Sequence, residues 1–97
     1  MDPRKHKIIF SPSAERDIER FESAVAFQLV KDIQNYLETN PLPFGKNRIK
    51  KLTGYTPPIY RLRSGDYRAY YRIMPETVVV LAVTNKKDSE KILKKMK

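Results

Sequence analysis

The chain has 97 residues, 40% hydrophobic and 32% charged, with twenty Lys and Arg against eleven Asp and Glu for a net charge of +9, and it has no cysteine. That length buries one core and not two, so one domain spanning 1–97 is expected and a two-domain enzyme is excluded. Lack of cysteine removes a disulfide framework, a thiolate metal site and a cysteine nucleophile; no apolar run nears the roughly 20 residues that span a bilayer and Met1–His6 has no signal-peptide core, so a cytoplasmic protein with no membrane partner is expected.

Lys7–Phe10 is a short apolar run flanked by charge, and Ser11-Pro12 then supplies an N-cap residue followed by proline at the first helical position. Ala14, Ile18 and Phe21 recur at helical spacing with Glu15, Arg16, Asp17, Glu19, Arg20 and Glu22 on the other faces. After a break near Glu22-Ser23, Ala26, Leu29, Val30, Ile33 and Leu37 predict a second helix that stops before Asn40-Pro41. The period then changes from 3.6 to 2. Ile49–Leu52 predicts a short strand, Ile59–Arg63 and Tyr67–Ile73 a hairpin around Ser64-Gly65-Asp66, and Thr77–Val83 a strand buried on both faces at the centre of the sheet. Asn85–Ser89 reads as a loop and Glu90–Met96 as a short basic helix, its lysines open to solvation or to docking on ribosomal RNA. The expected fold is α+β: two N-terminal helices packed on a small, mainly antiparallel twisted β-sheet.

Charge is unevenly divided. Residues 46–97 hold fourteen basic and four acidic side chains, whereas residues 1–45 hold six and seven. Such a field draws polyanions by counterion release, so nucleic acid, the ribosome or an acidic protein are the candidate partners. A two-residue Gly65-Asp66 turn fixes the hairpin register, because an antiparallel pair keeps a constant index sum. Arg63 then faces Arg68, Arg61 faces Tyr70, and Ile59 faces Arg72. Tyr60, Leu62, Ala69, Tyr71 and Ile73 share the face suited to the helices, and Arg61, Arg63, Arg68, Tyr70 and Arg72 share the other. Facing like charges costs a few tenths to about 1 kcal/mol per pair, which a bound anion would offset. Arginine forks suit phosphate, and a tyrosine among them could stack on a base.

The usual catalytic inventories are thin. His6 is the sole histidine, the helix acids read as a solvated face, no histidine–carboxylate cluster has metal-ligand spacing, and three glycines build no phosphate loop. No cofactor and no metal are expected. Cleavage of RNA survives elimination, since the substrate brings its own nucleophile in the 2′-hydroxyl and the protein must mainly orient it and stabilise charge on the phosphorane.

The element order, with Tyr60–Ile73 (YRLRSGDYRAYYRI), Ser11–Ile18, Pro43-Phe44-Gly45, Lys50–Gly54 and Val79–Val83, resembles the RelE/ParE superfamily of type II toxin–antitoxin systems. The resemblance implies, on the RelE side, a toxin that enters the ribosomal A site and cuts mRNA. It implies catalytic roles for Arg61, Arg63 and Arg68, with Lys86 or Lys87 as the strand-end cation. Apart from the resemblance, RNA contacts are expected from Tyr70, which faces the basic cluster in this register but is not the family's residue, and from Arg72, Lys50 and Lys51. Strongly cleaving members often carry a tyrosine near the C-terminus, and Lys91-Ile92-Leu93-Lys94 has none. The ParE side implies inhibition of DNA gyrase, and a non-catalytic RNA-binding or ribosome-binding module is a third alternative. The resemblance also implies a cognate antitoxin with an acidic toxin-binding segment.

Overall fold

The computed structural model describes residues 6–42 and 48–96; Pro43-Phe44-Gly45 lies outside them. In chain order the elements are β1 (Lys7–Phe10), α1 (Pro12–Glu19), α2 (Ser23–Thr39), β2 (Ile49–Lys51), β3 (Tyr60–Ser64), β4 (Tyr67–Ile73), β5 (Thr77–Asn85), a 3₁₀ turn (Lys86–Asp88) and α3 (Ser89–Met96). The five strands are ordered β1-β5-β4-β3-β2.

The sheet is mixed, which corrects the mainly antiparallel arrangement expected. Strands β2 to β5 pair antiparallel, but β1 lies parallel to β5, with Lys7 opposite Thr77 and Phe10 opposite Val80. The helical hairpin joins β1 to β2, which runs opposite to it at the far edge of the sheet, and the three reversals from β2 through β3 and β4 to β5 bring the chain back parallel to β1. Strand β5 is internal, and β4 occupies the middle of the sheet.

Helix α1 starts where the Ser11 hydroxyl accepts the Ala14 N–H at 3.1 Å, with Pro12 at a position whose missing N–H costs nothing. Leu29, Ile33 and Leu37, spaced four apart, form the buried stripe of α2. With Ala14 of α1 they close on Leu62, Ala69, Tyr71, Val78, Val80 and Val83 in the main core. Full burial of each aliphatic side chain is worth about 1.5–3 kcal/mol.

The apolar run Val78–Val83 hides an irregularity. Tyr70 pairs with Ala82 and Tyr71 with Val80, so Leu81 is the extra residue of a β-bulge. Its insertion resets the alternation: Val78, Val80 and Val83 face the helices, while Leu81 and Ala82 join a second, smaller cluster. Side chains of α1 satisfy the backbone here, with Ser11 Oγ donating to Leu81 C=O at 3.1 Å and the Asp17 carboxylate accepting the Val83 N–H at 2.9 Å.

The second cluster lies on the sheet face away from α1 and α2. Ile59, Tyr70 and Ala82 are buried there beneath Leu52, Tyr55, Ile92 and Leu93, so α3 is a third packed helix covering part of the face that carries the arginines. The Tyr55 hydroxyl donates to Leu93 C=O at 3.3 Å.

Candidate anion-binding face

The hairpin turn sets the geometry. Gly65 has φ of +58°, the left-handed region that a side chain disfavours, and Ser64 pairs with Tyr67 across the two-residue turn. Arg63 therefore stands opposite Arg68, Leu62 opposite Ala69, Arg61 opposite Tyr70 and Tyr60 opposite Tyr71, all as the index sum requires.

Extending the rows across neighbouring strands assembles the site. One row runs Arg63, Arg68, Thr84, and the next on the same face runs Lys50, Arg61, Tyr70, Ala82. Facing residues in a ladder have Cβ atoms about 4.5–5.5 Å apart, so Arg61, Arg63, Arg68 and Lys50 form one cationic group. Arg68 is fixed by its own turn: its guanidinium donates to Gly65 C=O at 3.2 Å and to Tyr67 C=O at 3.0 Å. Arg63 is exposed. Burial, then repulsion from Arg68 and Arg63, moves the Arg61 guanidinium below its ordinary pKa, while Tyr70 acts in the opposite direction. Its Nε–H is buried without a hydrogen-bond partner. A buried, unmatched donor beside two like charges favours an incoming anion.

Lys86 and Lys87 are exposed on the 3₁₀ turn that follows β5. Asn85 caps the turn by accepting the Asp88 N–H at 2.9 Å, and the Lys86 N–H donates to Asp66 C=O at 2.8 Å. The turn is thus tied to the same hairpin loop that fixes Arg68.

Three residues expected to contact RNA are not presented with this group, one through burial and two through position. Tyr70 shares the arginine face, but it is 1% exposed because Ile59, Ala82 and α3 enclose it, so its ring is not presented for stacking. Burial raises its hydroxyl's pKa, an effect that the nearby Ser89 hydroxyl and the Arg61 and Arg68 charges oppose. Lys51 shares its row with Tyr60 and Tyr71, which places it on the helix side of the pleat, opposite to Lys50. Arg72 lies beyond Tyr70 and lines a different cavity.

Sequence reading missed Arg48. Its carbonyl accepts the Arg63 N–H at 2.8 Å, and its side chain donates back to Arg63 C=O at 3.1 Å. Its guanidinium then sits 4.5 Å from the centre of the Tyr36 ring on α2. No tight turn joins β2 to β3, so the sequence carries no register that would have placed it there.

These side chains can grip a phosphate and stabilise added charge on it. Among the described residues no group of three or more His, Asp or Glu could hold a metal ion, and no helix is long and apolar enough to cross a membrane.

A family model described as the ParE toxin of type II toxin–antitoxin system, parDE, matches residues 8–90. No curated protein matches the chain significantly. Among solved structures, a chain of the RelBE2 toxin–antitoxin complex of Mycobacterium tuberculosis is 27% identical with a TM-score of 0.74, covering 87% of this chain and 94% of that one. The RelB–RelE complex of Methanococcus jannaschii gives 21% identity and 0.62 over 87% and 96%. A double arginine-to-alanine variant of Escherichia coli toxin RelE in the free state gives 23% and 0.61 over 92% of each chain. The last two, below 25% identity, establish likeness of fold.

Proposed function

The chain belongs to the ParE toxin family of type II toxin–antitoxin systems, within the RelE/ParE superfamily, and from that premise we propose that it is a RelE-like, ribosome-dependent mRNA endonuclease. The facing Arg63–Arg68 pair, with Arg61 two rows away on the same face, carries this reading, because three guanidinium groups on one face suit the extra negative charge of a phosphorane. The ribosomal A site supplies what this face lacks, an arranged RNA backbone. The 2′-oxygen attacks phosphorus as the 5′-oxygen leaves, giving a 2′,3′-cyclic phosphate and a 5′-hydroxyl, with later hydrolysis to a 3′-phosphate. Arg68, anchored at the turn, and Arg61 bind the non-bridging oxygens. Arg63, Lys50 and Lys86 or Lys87 hold the flanking backbone. Arginine exchanges protons poorly, so the two proton transfers fall to water or to groups of the ribosome, which makes the cleavage slow without it.

The bound partner in the resting state is a cognate antitoxin whose acidic segment neutralises this face, as the antitoxin-bound state of the Mycobacterium tuberculosis and Methanococcus jannaschii neighbours supports. Primer extension on mRNA from programmed ribosomes tests the reading. Cuts at A-site codons should appear with the native chain and vanish with Arg68→Ala, and intact mRNA with the native chain refutes it.

A second reading, inhibitory binding to DNA gyrase, is favoured by the ParE description of the matching family and by the missing C-terminal tyrosine. It predicts blocked supercoiling by purified gyrase with no mRNA cuts.

A further inference from the structure

Arg63 sits where the sheet stops supporting it. Strand β2 begins at Ile49, opposite Leu62, so regular pairing ends one residue short of Arg63. On the other side Arg63 faces Arg68, and the two repel. An antiparallel residue points its N–H and C=O to the same side, and the Arg63 N–H points toward Arg48, so neither group bonds to β4. Arg68 is anchored by the carbonyls of Gly65 and Tyr67, whereas the Arg63 side chain is exposed, and the course of its main chain decides where its guanidinium can go.

One residue grips that main chain at both polar atoms. The Arg48 C=O accepts the Arg63 N–H at 2.8 Å, and the Arg48 guanidinium donates to the Arg63 C=O at 3.1 Å. The same guanidinium lies 4.5 Å from the centre of the Tyr36 ring, a cation–π contact with α2. One turn earlier on α2, the Asp32 carboxylate accepts the Ser64 hydroxyl and the Gln28 amide, each at 2.9 Å, which ties the next residue of β3 to the same helix. A planar guanidinium suits this post, since it can rest on a ring while aiming an N–H at a carbonyl.

We propose that Arg48, seated on Tyr36, is a positioning residue for the cleavage: it acts through the Arg63 main chain to hold the Arg63 guanidinium opposite Arg68, and does not itself touch RNA. The catalytic consequence rests on the endonuclease reading, and the clamp on the hairpin geometry alone.

Two measurements separate those parts. The first follows amide hydrogen exchange of the isotope-labelled full chain by NMR, without RNA. In Arg48→Gln and in Tyr36→Ala the Arg63 amide should exchange about tenfold faster while the Arg68 amide keeps its native rate, and Tyr36→Phe, which retains the ring, should restore native exchange at Arg63. The second is single-turnover mRNA cleavage on programmed ribosomes. Both Arg48→Gln and Tyr36→Ala, the latter removing no charge, should slow cleavage about tenfold, leave the half-saturating ribosome concentration and its salt dependence native, and add nothing when built into Arg63→Ala. A further loss on the Arg63→Ala background, or a salt slope shallower by about 1, would make Arg48 a phosphate contact and overturn the proposal. Faster exchange at Arg63 and Arg68 together would make it a general staple of the sheet edge, and native exchange in both variants would leave it idle; each also overturns it. If the native chain makes no cuts, the endonuclease reading and the catalytic consequence fail together, and exchange at Arg63 decides the clamp by itself.

Discussion

Arg63 and Arg68 face one another directly across the β3–β4 ladder, and Thr84, not an acid, continues their row onto β5. A fold selected for stability alone would place a carboxylate in such a row. The repulsion therefore gives a prediction with opposite signs for folding and function. Arg63→Glu should raise stability by a few tenths to about 1 kcal/mol, seen as a higher urea midpoint at low salt, while abolishing growth arrest on expression. A fall in the midpoint would mean that the two guanidinium groups are not in repulsive contact.

Tyr70 separates a packing role from a recognition role. It is enclosed by Ile59, Ala82 and α3, so Tyr70→Ala should cost about 3–5 kcal/mol. Tyr70→Phe, which keeps the ring and deletes the hydroxyl, should cost about 1 kcal/mol or less and leave mRNA cleavage within severalfold of the native chain. Chemical denaturation of both variants checks this. A residue whose ring stacked on RNA would give the reverse pattern, with Tyr70→Ala folding normally and failing to cleave.

How much of this was legible in the sequence depends on which rule governs each residue. The hairpin register followed from one glycine and the arithmetic of antiparallel pairing, so the Arg61–Arg63–Arg68 group was readable before any coordinates. Ser11-Pro12 announced the start of α1 for a similarly local reason. The position of β1 was not readable, since Lys7–Phe10 fits either edge of a sheet and only the packing of α1 and α2 chooses the parallel one. The Leu81 bulge was hidden because every residue from Val78 to Val83 is apolar, so a skipped alternation leaves no polar residue out of place. That bulge and α3 together explain why the enclosure of Tyr70 is not legible in the sequence. Tyrosine is equally at home on a wet face or under a helix, and only the long-range contact with α3 decides.

Ser11 does two jobs at one hydroxyl, which makes it a sensitive probe of the junction between α1 and the bulge. It accepts the Ala14 N–H and donates to Leu81 C=O, each at 3.1 Å. Removing an N-cap oxygen costs about 0.5–2 kcal/mol, and the unmatched bulge carbonyl places Ser11→Ala near the top of that range. Ser11→Asp keeps the cap acceptor but cannot donate to Leu81 C=O, so it should recover only part of the loss. Thermal denaturation of the three proteins ranks them; equal melting temperatures for Ser11→Ala and the native chain would remove the bulge anchor from the account.

Tyr71 sets the alkaline limit of the fold. It is fully buried in the main core, and its hydroxyl donates to Pro41 C=O. Burial, and secondarily the neighbouring Tyr60, raises its pKa well above the ordinary tyrosine value, and burial moves Tyr70 in the same direction. A raised pKa in the folded state means that the unfolded chain loses its phenolic protons first. Stability from this source is fully present below pH about 10 and falls as pH climbs through the unfolded value toward the folded one. Arg61, whose pKa is lowered, works with the opposite sign in the same alkaline window and softens the decline. Urea midpoints taken at pH 7, 10 and 11 should therefore hold from 7 to the onset near 10 and then drop. In Tyr71→Phe the stability at pH 7 should be lower by about 1 kcal/mol, for the lost hydrogen bond, while the alkaline drop becomes shallower because one buried phenol no longer titrates. A Tyr71→Phe variant that loses stability as steeply above pH 10 as the native chain would show that another group governs the alkaline transition.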